Sequence, residues 1–187
     1  MTKNVHKTPT KRKRGKWAGR WRGREDALLA HRETTRVEAR LLSLKEVTGK
    51  RCTSPEDVFR MCKGFAGMKR EAFFTITLTA KNRCIDLHLT ALGTVDECIV
   101  YPREIFRPAL VDSASAIIVV HNHPSGDPAP SEDHDLRTTH DLAMIGRLLG
   151  VKVLDHVVIG CGRKTYVSMA EADLYDFDNA RPKRGAA

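Results

Sequence analysis

The sequence lacks any long hydrophobic segment. No apolar run in its 187 residues approaches the roughly 18 to 20 residues that a membrane-spanning helix needs. The N-terminal stretch MTKNVHKTPTKRKRGKW is polar and basic, without the apolar centre of a secretory signal peptide. With 41% hydrophobic and 29% charged residues, the chain can still form an ordinary globular core. These features predict a protein without membrane association.

Cysteine is too sparse and too irregularly spaced for a disulfide framework or a thiolate zinc site. The count is odd, no pair is spaced as Cys-x-x-Cys, and none lies beside the histidines described below. Such cysteines are typical of small buried apolar residues in a reducing compartment, so we expect a cytoplasmic protein. The five are Cys52, Cys62, Cys84, Cys98 and Cys161.

Acidic residues are absent from residues 1–24, which contain ten lysines and arginines. The formal net charge is +9, yet residues 25–187 contain 22 basic and 23 acidic side chains. A basic domain surface for nucleic acid is therefore not expected, and only the N-terminus could bind a polyanion. We interpret 1–24 as a flexible basic arm, 25–52 as a helical lead-in, 53–175 as the folded domain and 176–187 as a tail.

The basic arm also contains two tryptophans. A segment of this kind can neutralise phosphates while its indole rings stack on bases, which favours nucleic-acid binding. The alternative interpretation is a solubilising tail, since runs of charge are often no more than that. The side chains expected to contact nucleic acid are Lys11, Arg12, Lys13, Arg14, Trp17 and Trp21.

The spacing of apolar residues predicts a mixed α/β domain. Residues 71–92 alternate around a turn at Lys81 and Asn82, which predicts a β-hairpin. Residues 114–120 form a short continuous apolar run, typical of a strand buried on both faces. The other predicted elements are helices at 55–68, 103–112 and 131–149 and strands at 95–100, 151–159 and 165–168.

Two histidines directly follow the strand predicted at 114–120. His121 and His123 are two residues apart, and residues at this spacing on a strand point the same way. Both imidazoles can then bind one metal ion, and a catalytic zinc ion takes three protein ligands and a water. A His-x-His pair alone is a weak signal, and the alternative is a loop with surface histidines. Pro124 and a helix start at Ser131 strengthen the metal interpretation.

The third ligand is expected from the first turn of the helix that follows. The apolar residues assigned to the buried face of that helix are Leu142, Ile145 and Leu149. Thr138 lies one turn before that face, and His134 lies four residues before Thr138, so His134 points inward. Asp133 falls on a polar face and Asp135 near the boundary. We therefore predict His134 as the third ligand and Asp135 as the fallback.

The motifs together resemble the RadC family, which belongs to the JAB/MPN (JAMM) metalloprotease superfamily. The resemblance covers about residues 53–175. It implies a mixed central β-sheet flanked by helices, with a layering similar to that of cytidine deaminases, and a bacterial cytoplasmic protein. The segments that carry it are FFTITLTAKNR at 73–83, YPREIF at 101–106, HNHPSGDPAPS at 121–131, Thr138, VLDHVVIG at 153–160 and YVS at 166–168.

The resemblance also implies site residues. It places His121 and His123 among the ligands of one Zn²⁺ per chain and makes Ser131 a contact for the tetrahedral oxyanion. The acid–base residue it implies is Glu71, with Glu104 as the second choice. Such a glutamate takes a proton from the attacking water and later donates it to the leaving amine.

The sequence departs from the JAMM pattern at one position. The family's third ligand is an Asp three residues after the Ser, and here that position is His134. Three histidines could bind zinc together, Asp135 could replace the missing acid after a small shift, or the site could be inactive.

Two functions therefore remain open. The first is a zinc-dependent hydrolase of peptide or isopeptide bonds. The second is a catalytically degenerate, DNA-associated module whose arm binds nucleic acid, since RadC-like proteins have been labelled DNA-repair proteins. Asp155 and His156 are expected either to support the site from behind or to be buried polar partners with a structural role, rather than to bind metal. The oligomeric state is not predicted.

Overall fold

A computed structural model describes residues 47–93, 98–161 and 165–183. Its elements confirm the predicted mixed α/β architecture. The helices are α1 (Pro55–Cys62), α2 (Pro102–Val111) and α3 (Arg137–Leu149), with a 3₁₀ turn at Lys63–Phe65 and a π-helical turn at Glu132–Leu136. The strands are β1 (Ala72–Leu78), β2 (Cys84–Leu92), β3 (Ala116–Asn122), β4 (Lys152–Ile159), β5 (Tyr166–Ser168), β6 (Tyr175–Asp176) and β7 (Arg181–Pro182).

The central sheet has the strand order β2-β1-β3-β4-β5. β1 pairs antiparallel with both β2 and β3, and Phe73 lies opposite His121. β3 and β4 run parallel, joined by a crossover through the π-helical turn and α3, while β5 returns antiparallel. The short strands β6 and β7 form a separate ladder. The crossover places the start of α3 at the same edge of the sheet as the end of β3.

Helices cover both faces of the sheet. α1 packs on one face, where Phe59 and Phe65 contact apolar residues of β1, β3 and β4. α2 and α3 pack on the other face, where Phe106 and Leu142 contact side chains such as Val119. Because both faces are covered, all seven residues of β3 are buried, as the continuous apolar run predicts.

Local sequence signals determine where the first helices begin and end. Ser54 caps α1 by accepting a hydrogen bond from the Asp57 backbone N–H, and the Asp57 carboxylate accepts one from the Ser54 backbone N–H. In α2, Pro108 lies inside the helix without ending it, since the helix continues to Val111.

None of the helices in the described part of the chain has the length and apolar character that a membrane span requires.

Several predictions fall at or beyond the limits of the described residues. The arm at 1–24 and most of the lead-in, up to residue 46, lie outside them. Of the strand predicted at 95–100, residues 95–97 also lie outside, and residues 98–100 are not assigned to a strand. Val47 and Cys52 are buried in the core on the α1 face.

Asp155 ties the end of β5 to β4. Its carboxylate accepts hydrogen bonds from the backbone N–H groups of His156 (2.8 Å) and Ala170 (3.1 Å) and from the Ser168 hydroxyl (2.6 Å). Burial raises the pKa of Asp155 to about 6, although these three hydrogen bonds oppose the increase. The folded protein therefore binds a proton at Asp155 more tightly than the unfolded chain does.

We predict that Asp155→Asn changes the pH dependence of folding. A raised folded-state pKa contributes stability below about pH 4 that is lost as the pH rises through about 6. Relative to the variant, the wild type should thus lose about 1.4 kcal/mol of unfolding free energy between about pH 5 and 7.5. This is the free energy that corresponds to one pH unit, the interval between about pH 5 and the folded-state pKa of about 6. Urea unfolding at both pH values measures this. Asp141→Asn, at an exposed position of α3, is the control, and parallel curves for the wild type and Asp155→Asn would contradict the prediction.

Candidate metal centre

The end of β3 brings two histidines to one point. His121 is fully buried, and the His123 backbone N–H donates to the Ile159 carbonyl (2.9 Å), which continues the pairing with β4. Because both side chains point to the same face, as predicted, the His121 Nε2 and His123 Nε2 atoms lie 3.0 Å apart. The His121 ring also stacks on Phe73 of β1, with ring centroids 4.6 Å apart.

Asp135 is the third member of this cluster. Its Oδ1 lies 3.2 Å from His121 Nε2, and its Oδ2 lies 3.5 Å from His123 Nε2. Among the described residues, His121, His123 and Asp135 form the one group of three whose ligand atoms could hold a metal ion. The carboxylate is almost completely buried, with 2% of the residue exposed.

The prediction that His134 points inward is wrong. His134 is exposed, and the inward position belongs to Asp135, which was the fallback. The buried stripe of α3 consists of Thr139, Leu142, Ala143 and Gly146, whereas Thr138 and Ile145 are half-buried and Leu149 is exposed. Gly146 belongs to the stripe because a Cβ there would lie 2.5 Å from the Val151 carbonyl oxygen. Glycine adds nothing to an apolar pattern, so the sequence pattern misplaced the buried face by one residue.

The π-helical turn explains the unusual spacing between Ser131 and the acid. The Leu136 backbone N–H donates to the Ser131 carbonyl (3.2 Å), an i→i+5 hydrogen bond that accommodates one more residue than an α-turn. The acid therefore follows the serine by four residues instead of the three that the JAMM pattern implies. Relative to that pattern, the acid beside the histidines lies one position further along the chain, and residue 134 is exposed.

The spacing of the two imidazole nitrogens and the Asp135 carboxylate suits a tetrahedral zinc ion. Ligands at about 2.0 to 2.1 Å from such an ion lie roughly 3.3 Å from one another. The two nitrogens lie 3.0 Å apart, and each has a different oxygen of Asp135 close to it, at 3.2 Å from His121 and 3.5 Å from His123. Two imidazole lone pairs and a carboxylate also repel one another at this distance unless a cation or protons lie between them. The donor chemistry and the spacing both suit one divalent ion.

The electrostatics of the cluster favour a positive charge at its centre. Burial alone would raise the pKa of the Asp135 carboxyl, but hydrogen bonds with His121 and His123 hold it far below its usual range. The pKa of His123 is raised by the hydrogen bond with Asp135, against the opposing effect of burial. Asp135 is therefore a carboxylate, and it stabilises positive charge placed against it.

Ser131 orients Asp135 at the start of the π-helical turn. The Ser131 backbone N–H (2.7 Å) and hydroxyl (3.1 Å) both donate to Asp135 Oδ2, and the Ser131 hydroxyl oxygen accepts from the Asp135 backbone N–H (3.1 Å). The hydroxyl hydrogen is therefore used within the protein. Contact with an oxyanion requires this hydroxyl to rotate away from the carboxylate.

Glu71 lies at the edge of the cluster. It directly precedes β1, and because Phe73 lies opposite His121, Glu71 lies opposite His123. The residue is 8% exposed. Burial raises the pKa of the Glu71 carboxyl; the nearby His121 opposes the increase and Asp135 adds to it. The structure thus brings Glu71 to the histidines and Asp135.

Asn122 holds the segment that carries Glu71. Its side chain points to the opposite face from His121, donates to the Arg70 carbonyl (3.1 Å) and accepts from the Ala72 backbone N–H (3.0 Å). These two residues flank Glu71, so one amide fixes the backbone on both sides of it. Sequence reasoning missed this role, although a polar residue between two histidines at the end of an apolar strand was a signal.

Glu104, the second choice for the acid–base residue, lies elsewhere. It is on the exposed side of α2, where it pairs with Arg103 (3.4 Å) and Arg107 (3.7 Å). The cavity that it lines also contains His88 and Asp112, which belong to a different part of the protein from the histidine cluster.

Two further residues contact the cluster from the protein interior. His156 Nε2 lies 2.8 Å from His121 Nδ1, and Thr139 Oγ1 lies 2.6 Å from His156 Nδ1. Burial lowers the pKa of His156 well below its ordinary value, so its ring is neutral. The support expected from residue 156 is present, while the contribution of Thr139 was missed because the resemblance pointed to Thr138.

The loop after the histidines lies against the end of β4. The backbone at Gly160 is so close to it that a Cβ there would lie 2.3 Å from the Gly126 carbonyl oxygen. The Gly126 carbonyl also accepts from the Cys161 backbone N–H (3.0 Å). This contact positions Asp127, whose carbonyl oxygen accepts from His123 Nδ1–H (2.8 Å).

Comparison with known proteins identifies relatives over most of the folded region. The family model of the RadC-like JAB domain matches residues 52–174. A UPF0758 protein of Caldanaerobacter subterraneus subsp. tengcongensis is 45% identical over 127 residues, 67% of this chain and 53% of that protein. One of Methanosarcina mazei is 41% identical over 133 residues, 71% and 57% of the two chains. The chain thus spans about half the length of the curated relatives it matches.

We predict that Asp135→Ala abolishes metal binding and His134→Ala does not. The wild type should bind about one Zn²⁺ per chain, because three ligand atoms converge. Loss of the carboxylate leaves two histidines, whereas residue 134 is exposed. Titration calorimetry on both variants measures the stoichiometry, with far-UV circular dichroism as the check on folding. Equal loss of zinc in the two variants would return His134 to the site and contradict this assignment.

Proposed function

Because the chain belongs to the RadC family of JAB domains, we propose that it is a zinc-dependent hydrolase of the metallopeptidase or isopeptidase type. The observation that carries the proposal is the convergence of His121, His123 and Asp135 beside the buried Glu71. Two histidines and one carboxylate form the same kind of ligand set as the His₂Glu set of known zinc peptidases. A zinc ion held by these three residues would keep a fourth position for a water molecule or substrate.

The zinc ion would be held by His121, His123 and Asp135. When bound, it supplies a Lewis acid that polarises a scissile carbonyl and makes a nearby water molecule more acidic. The protein contributes a pre-arranged set of ligands: His121 lies on β3, His123 directly follows that strand, and the capped π-helical turn carries Asp135. Rigid elements of this kind keep the ligand atoms in place without the ordering cost that a flexible loop would add.

Glu71 would act as the base and then as the acid. Its burial favours the protonated form more than in an exposed glutamate, so the carboxylate accepts a proton readily from the attacking water. As the water oxygen bonds to the carbonyl carbon, its proton passes to Glu71. When the C–N bond breaks, the same proton passes to the leaving nitrogen. Asn122 supports this exchange by holding the backbone on both sides of Glu71.

Ser131 would act mainly on Asp135. Its hydroxyl hydrogen is donated to the Asp135 carboxylate, which favours orientation of the ligand over direct contact with substrate. The oxyanion contact that the family resemblance implies stays a prediction. We also propose a peptide or isopeptide as the substrate and the bacterial cytoplasm as the location. Both are proposals because the relatives are about twice as long as the region that matches this chain.

We predict that Glu71→Gln lowers hydrolysis by about 10²- to 10⁴-fold, the usual contribution of a positioned acid–base group. Zinc binding should be unchanged, since Glu71 lies outside the ligand set. The assay is cleavage of a quenched fluorescent peptide library and of a lysine-linked isopeptide by the zinc-loaded protein. Glu104→Gln is the matched control, because that glutamate lies on α2 with its arginine partners.

Two results would contradict this function. One is full activity of Glu71→Gln. The other is a wild type that binds zinc with the expected stoichiometry and cleaves neither substrate in the presence or absence of added metal. The second result would favour the degenerate module. The main argument for that alternative is the apparent replacement of the acid, and the position of Asp135 beside His121 and His123 weakens this argument.

Nucleic-acid binding through residues 1–24 is a second candidate function, which does not exclude the first. The observation that favours it is the charge asymmetry: ten basic and no acidic side chains in the arm, against near neutrality in the rest of the chain. The arm itself, including Lys11–Arg14, Trp17 and Trp21, lies outside the described residues.

We expect DNA binding by the full chain to depend on salt and on the arm. If about four phosphates are neutralised, affinity should fall roughly 100-fold between about 50 and 200 mM salt. Fluorescence anisotropy with single- and double-stranded DNA measures this for the full chain, for a chain lacking residues 1–24 and for a Lys11→Gln, Arg12→Gln, Lys13→Gln, Arg14→Gln variant. Binding that is insensitive to salt and to both changes would rule out nucleic-acid binding by the arm.

A further inference from the structure

The buried side of the candidate metal centre contains a chain of hydrogen bonds that ends at a backbone carbonyl. It runs from His121 Nδ1 to His156 Nε2 (2.8 Å) and from His156 Nδ1 to Thr139 Oγ1 (2.6 Å). Thr139 Oγ1 then lies 2.6 Å from the Asp135 carbonyl oxygen. His156 is 1% exposed and Thr139 is 1% exposed, so no water competes for these groups.

We propose that Thr139 and His156 are positioning residues that set the tautomer of His121, so that His121 Nε2 presents a lone pair to a metal ion. The inference rests on the proposed function only for the identity of the metal. It concerns where the ring protons lie, which is a property of the protein with or without catalysis.

The carbonyl end gives the chain its direction. The Thr139 hydroxyl lies near two atoms that can only accept, the Asp135 carbonyl oxygen at 2.6 Å and Met169 Sδ at 3.0 Å. Because a thioether sulfur is a weak acceptor, the hydroxyl hydrogen lies on the contact to the carbonyl oxygen. Thr139 Oγ1 must then accept from His156 Nδ1–H. A neutral imidazole carries one ring proton, so His156 Nε2 is a bare acceptor and receives Nδ1–H of His121. In the neutral His121 ring that a metal ion requires, Nε2 is therefore the nitrogen without a hydrogen, and it faces His123 and Asp135.

The reverse direction would close the site to metal. In that arrangement, the Thr139 hydroxyl donates to His156 Nδ1, His156 Nε2–H donates to His121 Nδ1, and His121 Nε2–H donates to Asp135 Oδ1 across 3.2 Å. The proton on Nε2 would then occupy the position of the ion. This arrangement leaves the short contact between Thr139 Oγ1 and the Asp135 carbonyl oxygen without a hydrogen, which two oxygen atoms at 2.6 Å do not tolerate.

The tautomer of His123 is set in the same way, by a single direct hydrogen bond. Its Nδ1 lies 2.8 Å from the Asp127 carbonyl oxygen, so Nδ1 carries the hydrogen and Nε2 faces the cluster. Each histidine is thus anchored to a backbone carbonyl, His123 directly and His121 through two intervening side chains. The carbonyl at the end of the longer chain belongs to Asp135, so the same residue contributes a carboxylate to the cluster and the anchor behind it.

The first test reads the tautomers directly in the full chain. Long-range ¹H–¹⁵N correlation spectra distinguish Nδ1–H from Nε2–H histidines, and His156→Gln identifies the signals of residue 156. We expect an Nδ1–H tautomer for His156 in the wild type and for His121 when Zn²⁺ is bound. An Nε2–H tautomer of His156 overturns the proposal. This measurement needs neither activity nor a destabilised variant.

The second test removes and restores the hydroxyl. Thr139→Val keeps the shape of the side chain but cannot accept from His156, and we expect its Zn²⁺ affinity to fall by about 10- to 100-fold, the usual effect of losing such a partner. Thr139→Ser retains the hydroxyl and should restore affinity to within about threefold of the wild type. Competition with a chromophoric chelator measures all three proteins, and circular dichroism checks that each is folded.

Thr138→Val is the matched control, because the neighbouring threonine lies outside the buried stripe of α3. The proposal is overturned if Thr139→Val binds Zn²⁺ as tightly as the wild type, or if Thr138→Val weakens binding to the same extent. If Thr139→Val does not fold, the Zn²⁺ affinity of the serine variant and the histidine tautomers in the wild-type spectra still test the proposal. A wild type that binds zinc without hydrolysis would contradict the proposed function alone and leave this inference intact.

Discussion

The central position of β3 is the constraint on which the rest of the structure depends. Because β3 pairs with β1 on one side and with β4 on the other, His121 is fully buried between the strands that carry Glu71 and His156. The parallel pairing with β4 requires a crossover, and that crossover brings Asp135 to the carboxyl end of β3. One strand arrangement therefore brings together the candidate metal ligands, Glu71 and the histidine behind them.

Such a site places several polar side chains where water cannot solvate them. Burial of unpaired polar groups costs several kcal/mol each, so every member needs a partner. Here Asn122 is satisfied by backbone groups of Arg70 and Ala72, and Thr139 by His156 and Asp135. The partners are mostly main-chain groups of neighbouring elements. The polar interior consequently helps to fix the relative positions of β1, β3 and α3.

Sequence patterns predicted the parts of the site that depend on local periodicity. Strand alternation placed His121 and His123 on one face, and the cap at Ser131 marked the helix start, because both rules involve residues close together in the chain. The buried face of α3 differs from the predicted one because of a tertiary contact. The close approach of α3 to the sheet occurs at Gly146, and glycine gives no apolar signal, so His134 was chosen where Asp135 lies.

The sequence by itself determined the fold class, the family and the two histidines, since apolar periodicity and a dense motif depend only on the order of the residues. It also determined that the excess positive charge belongs to residues 1–24. Only the tertiary structure decided which acid joins the histidines and which way the protons behind them point. Those properties depend on a π-helical turn, a glycine contact and a chain of hydrogen bonds between residues 121, 139 and 156, groups far apart in sequence whose distances no local pattern encodes.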